Sequence, residues 1–123
     1  MASELTLSGL TIAFTKSGSP SVSLSPASLS ITVAGAQIMD NVQNVGTTEE
    51  AILLGDVAAG GIVFAQNLDS TNFVSIRSGT GATNLIRINP GEWALFRLSG
   101  DASAPFAIAD TAGVNVRFLR FDA

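Results

Sequence analysis

The sequence predicts an all-β protein, an antiparallel β-sandwich of jelly-roll type with an extended N-terminal arm. Three observations predict it. Apolar residues recur with period two in short runs, as in Leu10, Ile12 and Phe14, a spacing that puts alternate side chains on one face of a strand. Gly, Pro, Ser, Asn and Asp interrupt these runs at intervals of about eight to twelve residues, the punctuation of a sandwich or barrel. No run has the period of a crossover helix, and without crossovers neighbouring strands pair antiparallel.

Taken in order, Leu5-Thr6-Leu7 alternates but is cut from the next run by Ser8-Gly9, so it either pairs locally or extends onto a neighbouring subunit. Leu10 to Thr15 is the first well-patterned strand. Ser17 to Ser28 holds Pro20 and Pro26, and because proline cannot donate to a ladder this stretch is expected to be an extended connection or edge segment. Ser28 to Ala34, with Leu29, Ile31 and Val33 on one face, and Gly61 to Leu68 are strong strands, with a weaker pair at Gln37 to Val45 and Glu50 to Leu54. Further strands are expected at Asn72 to Arg77, Asn84 to Asn89, Glu92 to Leu98, Pro105 to Asp110 and Val114 to Phe121. Ser78-Gly79-Thr80-Gly81 and Asn89-Pro90-Gly91-Glu92 supply turn chemistry that makes residues 72–98 a meander. In the last strand the alternation breaks after Phe118, which predicts a β-bulge or a change of sheet. The chain divides into an arm and first strand (1–16), a Ser/Pro-rich connection (17–28) and a sandwich body (29–123), a single domain overall.

The 123 residues are 46% apolar and 13% charged, far from the composition of disordered chains and enough for one core. Near-apolar stretches such as Ala51 to Leu54 and Gly60 to Ala65 fall well short of the roughly 20 residues that cross a bilayer. Met1-Ala2-Ser3-Glu4 has no basic segment leading an apolar one, so no ordinary secretion signal and no membrane partner are expected. There is no cysteine and no histidine, which removes thiolate chemistry, Cys- and His-type metal sites and the commonest general base. Ser residues lack an activating base, and the glycine clusters at Gly60-Gly61 and Gly79 to Gly81 lack the lysine and helix of a phosphate loop. Asp40, Glu49, Glu50, Asp56 and Asp69 do not form an alternating calcium loop. The expectation is a non-enzyme with no cofactor and no metal. A net charge of −4 argues against nucleic acid as a partner.

The strand faces point instead to docking. Lys16 is the one base of the first half, whereas Arg77, Arg87, Arg97, Arg117 and Arg120 all lie in the second, an asymmetry suited to contacts between proteins. Within the expected meander, Val74 and Ile76, Ile86 and Ile88, and Ala94, Phe96 and Leu98 form an apolar face. The opposite face mixes Phe73, Ser75, Arg77, Leu85, Arg87, Trp93, Leu95 and Arg97. A lone sandwich makes its outer face more polar than this. Trp, Phe and Arg are enriched in interface hot spots, so Phe73, Arg77, Arg87, Trp93 and Arg97, with Leu5 and Leu7 of the arm, are the candidate interface residues. The competing reading puts Trp93 and Leu95 beneath a loop or the arm.

The runs Asn44-Val45-Gly46-Thr47-Thr48-Glu49-Glu50, Asn67-Leu68-Asp69-Ser70-Thr71-Asn72-Phe73-Val74, Asn89-Pro90-Gly91-Glu92-Trp93-Ala94-Leu95-Phe96-Arg97 and Ala107-Ile108-Ala109-Asp110-Thr111-Ala112 resemble small virion structural proteins of tailed bacteriophages. Among these are jelly-roll capsid cement, or decoration, proteins. The resemblance runs from about Val42 onward and leaves residues 1–41 outside it; its motifs are turn-and-strand patterns. It implies a sandwich made in the host bacterial cytoplasm that assembles, often as a trimer, on the outer surface of an icosahedral head. Its partners would be copies of itself and the major capsid protein, and it would bridge capsomers. A tail or head-tail connector component is the nearest alternative. A carbohydrate- or receptor-binding module is another, although one Trp, no Tyr and seven mostly core-like Phe make a poor sugar platform.

Overall fold

The computed structural model describes residues 5–33, 37–53, 61–99 and 105–122, and among them every regular element is a strand. Contacts divide the chain into two units, Met1–Ala34 and Gly35–Ala123. Sandwich architecture, antiparallel pairing and the absence of helix among the described residues all follow the alternation in the sequence.

The N-terminal unit holds β1 (Leu5–Leu7), β2 (Ile12–Phe14), β3 (Val22–Leu24) and β4 (Leu29–Ile31). β1 pairs with β4 and β2 with β3. Leu5 faces Ile31 and Ile12 faces Leu24, pairs that are both symmetric about Gly18, so the two short ladders share the register of one long hairpin. Thr11 and Ser25, symmetric about the same point, meet through their hydroxyls at 3.3 Å. The turn closes with the Ser19 N–H donating to the Lys16 carbonyl at 3.0 Å, and Gly18 takes φ +81°, which its lack of a Cβ permits. Gly9, at φ +77°, and Pro26 interrupt the ladder between the two paired stretches. Residues 17–28 therefore hold a turn and, in β3, an edge strand, the second of the two forms expected of them. The run beginning at Ser28 completes this hairpin instead of opening the body, and Leu5 and Leu7 face Ile31 and Leu29 within their own chain.

The second unit holds β5 (Ile38–Val45), β6 (Glu50–Ala51), β7 (Gly61–Asn67), β8 (Val74–Arg77), β9 (Asn84–Ile88), β10 (Trp93–Leu98), β11 (Phe106–Ala109) and β12 (Val114–Phe121). One sheet has the order β10-β7-β12-β5 and the other β6-β11-β8-β9. Nested pairing of β5 with β12, β6 with β11, β7 with β10 and β8 with β9 is that of one long antiparallel ribbon rolled on itself.

Both sheets feed one core. Val45, Val63, Ala65, Val114, Val116 and Phe118 come from the first sheet, and Val74, Ile76, Ile88, Ala107 and Ala109 from the second. At one edge Gln43, an inward and buried residue of β5, donates from Nε2 to Glu50 Oε1 at 2.9 Å and to the Ala51 carbonyl at 3.1 Å. Its Oε1 accepts from the Leu53 N–H at 3.1 Å. A polar side chain thus stands in for ladder bonds where the ribbon passes between sheets.

Asn67, fully buried at 0% exposure, does the same at the other end. Its Nδ2 donates to the carbonyls of Asn72 (2.9 Å) and Ile88 (3.0 Å), and its Oδ1 accepts from the Asp69 N–H (2.8 Å). Its backbone bonds Glu92 and Gly91 at 3.0 and 3.1 Å. The turn at residues 89–92 is thereby pinned to β7, so the chain passes from β9 in one sheet to β10 in the other. The expected meander over 72–98 therefore ends at β9. The bulge expected after Phe118 is also absent: β12 pairs without a break on both sides from Val116 to Phe121. Alternation in β12 is regular, but with Arg120 turned inward and 1% exposed, and Leu119 and Phe121 turned outward. Burial pushes the Arg120 guanidinium pKa below its ordinary value.

Candidate docking surface

Because side chains alternate along each strand, the core residues of β5, β7, β10 and β12 fix which residues point away from the core. Three cross-sheet rows result. The first is Arg97, Ile62, Phe121, Ile38; the second Leu95, Phe64, Leu119, Asp40; the third Trp93, Gln66, Arg117, Val42. Eight of these twelve outward positions are apolar, where an antiparallel sheet facing water is expected to be mostly polar. All but Val42 adjoin one another along the rows or the strands, so these seven form a patch rather than scattered residues.

Local contacts shape this face. Trp93 lies diagonally across the ladder from Phe64, with ring centroids 5.7 Å apart at an interplanar angle of 34°. Trp93 remains 50% exposed and Ile38 65%, while Ile62, in the first row between Arg97 and Phe121, is 5% exposed although it lies outside the core cluster. Arg117 and Asp40 form a two-pronged pair, Nε to Oδ1 at 3.0 Å and NH2 to Oδ2 at 2.8 Å. The hydrogen bond from Arg117 holds the Asp40 carboxyl below its ordinary pKa, and the same pairing raises that of Arg117. Each neutralises the other, so the patch carries little net charge at its centre.

The outer face of the second sheet is different. The Arg87 guanidinium carbon lies 3.6 Å from the centroid of the Phe73 ring, a cation–π contact, and its Nε donates to Asn89 Oδ1 at 3.0 Å. Arg77 donates to Asn84 Oδ1 at 2.6 Å and pairs with Glu49 at 3.3 Å. The Glu49 carboxylate also accepts the Gly81 N–H, at 3.0 Å to each oxygen. Glu49 thus ties Arg77 and the β8–β9 turn to the segment before β6, while Arg87 contacts residues that flank its own hairpin.

The structure thus separates the residues that the sequence put on one face. Arg77 and Arg87 belong to one sheet, with Phe73 just ahead of β8, Trp93 and Arg97 belong to the other, and Leu5 and Leu7 to the N-terminal hairpin. Trp93 and Arg97 are instead joined by Ile38, Val42, Ile62, Phe64, Leu119 and Phe121, which strand-by-strand reading missed. The adjacent apolar pair Phe118-Leu119 was their one visible sign. Among the described residues no group of three or more acidic side chains is placed to hold a metal ion. No family model, curated protein or solved structure matches the chain.

Proposed function

We propose that this chain is a structural protein of a phage particle, a capsid cement or decoration protein that self-assembles, binds the outer head surface and bridges capsomers. The observation that carries the docking role is the contiguous apolar outer face built by β10, β7, β12 and β5. The nested strand pairing of the sandwich supports reading it as a jelly roll, the fold that the likeness to phage cement proteins implies. A cement protein needs a rigid scaffold, self-complementary contacts and many weak attachments whose avidity makes the whole persist. It needs no reactive group, in keeping with a chain that has neither His nor Cys.

The test has two parts. Light scattering of the purified protein at micromolar concentration is expected to give a closed oligomer, with a trimer as the leading state. Cosedimentation with DNA-filled heads lacking the protein is expected to give saturable binding that protects the heads against heat or chelator. A monomer that leaves heads unbound refutes the proposal, and binding confined to tails moves the protein to the tail or connector.

A further inference from the structure

The N-terminal hairpin presents a second apolar surface. Ile12 and Phe14 share one face of it with their partners Leu24 and Val22, while Ala13 and Ser23 point the other way. Leu10, Ile12, Phe14, Val22, Leu24 and Leu29 are each 44–54% exposed. Between residues 5 and 33 the only charged side chain is Lys16, at the turn, so neither edge of the hairpin carries the charges that usually guard exposed strands. A lone two-stranded ribbon is marginally stable in water at best. It requires a cover.

We propose that the apolar face of this hairpin docks onto the outer face of the β10-β7-β12-β5 sheet of a second copy of the chain. The inference rests on the reading of that sheet as a self-docking surface, and it names the occupant. Each surface has apolar area left to cover, with Phe14 47% and Trp93 50% exposed. Both carry few charges: Lys16 alone in the hairpin, and in the sheet's rows Arg97 and the mutually bonded Asp40 and Arg117. The areas favour exchange. Each surface exposes a few hundred Å² of apolar side chain, so one contact buries on the order of 1,000 Å² in total, the low end for a specific interface. Exchange within a closed oligomer gives every copy two such contacts, on the order of 2,000 Å², the range of stable assemblies.

The native chain has no cysteine, so introduced thiols are unique. Full-length Phe14→Cys and Leu95→Cys chains are mixed, allowed to exchange subunits and treated with a short bismaleimide. A product joining one chain of each kind, identified by its linked peptides and formed only in the mixture, is the expected result. Loss of that product while the oligomer persists overturns the inference. So does linkage of Leu95→Cys chains to each other alone, which means that sheet docks on sheet. Linkage within a Phe14→Cys/Leu95→Cys double variant but not between chains likewise overturns it, since the hairpin then covers its own sheet. All three outcomes leave self-association standing, whereas a wild-type monomer removes the reading beneath it. In parallel, Phe14→Ser and Leu95→Ser are each expected to raise the concentration for dissociation at least tenfold with unchanged circular dichroism. An oligomer indifferent to Phe14→Ser overturns the proposal.

Discussion

Replacing Asn67 tests whether one buried side chain sets the path from one sheet to the other. Asn67→Ala deletes three hydrogen bonds at a site with 0% exposure. The bond to the Ile88 carbonyl is fully buried, so its loss strands an acceptor at a cost of about 1–3 kcal/mol. The bonds to Asn72 and Asp69 reach part-exposed groups that water can rescue, at about 0.5–1.5 kcal/mol each. The sum is about 2–6 kcal/mol, a large part of the 5–15 kcal/mol typical of a whole domain. Asn67→Asp keeps the volume and the acceptor but replaces the Nδ2 group, with its two N–H donors, by one carboxylate oxygen facing two carbonyls. Burial and those carbonyls raise the introduced carboxyl's folded pKa above its unfolded value of about 3.9. The loss is then small below pH 4 and grows as pH rises through the folded pKa. Urea unfolding followed by circular dichroism gives both free energies, and Trp93 fluorescence reports the turn. Asn67→Ala within 0.5 kcal/mol of wild type, or an Asn67→Asp variant with a wild-type pH profile, refutes this account.

Three other outcomes are expected. Phe118→Ala, at a 1% exposed core position shared by both sheets, destabilises by about 3–5 kcal/mol, measured by the same unfolding assay; a loss under 1 kcal/mol contradicts the packing described. Asp69 accepts the backbone N–H groups of Asn72 (2.6 Å) and Thr71 (2.9 Å), which lower its pKa. Its contribution is therefore present above the unfolded carboxyl pKa and disappears as pH falls through the lower folded value, so Asp69→Asn flattens thermal stability against pH below about 4. Gly18→Ala forces a side chain into φ +81° and costs about 1–2 kcal/mol. Because the strain lies in the hairpin, it should weaken self-association while leaving unfolding of the sandwich unchanged.

Alternation made the strands legible because each needs only its own side chains to announce two faces. Sheet membership was not, because it is decided at a distance. Asn89-Pro90-Gly91-Glu92 has the local chemistry of a hairpin turn, and what makes it a passage between sheets is Asn67, more than twenty residues upstream and bonded to Ile88, Gly91 and Glu92. The final strand misled for a related reason. Polarity normally marks the outside, but β12 buries Arg120 and turns half-buried Leu119 and Phe121 outward, so a regular strand looked irregular. In the N-terminal segment Pro20 and Pro26 correctly signalled broken pairing. A three-residue ladder nonetheless fits between them, and only the common symmetry of its pairs about Gly18 reveals one hairpin.

An apolar surface is ordinary in amount and informative in arrangement. More than half of any folded protein's surface is contributed by apolar atoms, so the exposure of Trp93 or Ile38 alone decides nothing. Arrangement decides, because Ile38, Phe121 and Ile62 in one row and Leu119, Phe64 and Leu95 in the next are ladder neighbours. Of the three charges set in the three rows, Asp40 and Arg117 are bonded to each other by both prongs. Exposed to water such a pair is worth little. Under a docking partner it enters already paired, so covering these two residues desolvates no lone charge. A sheet selected only to meet water has no use for that economy, whereas one that must be covered again and again by the same partner does.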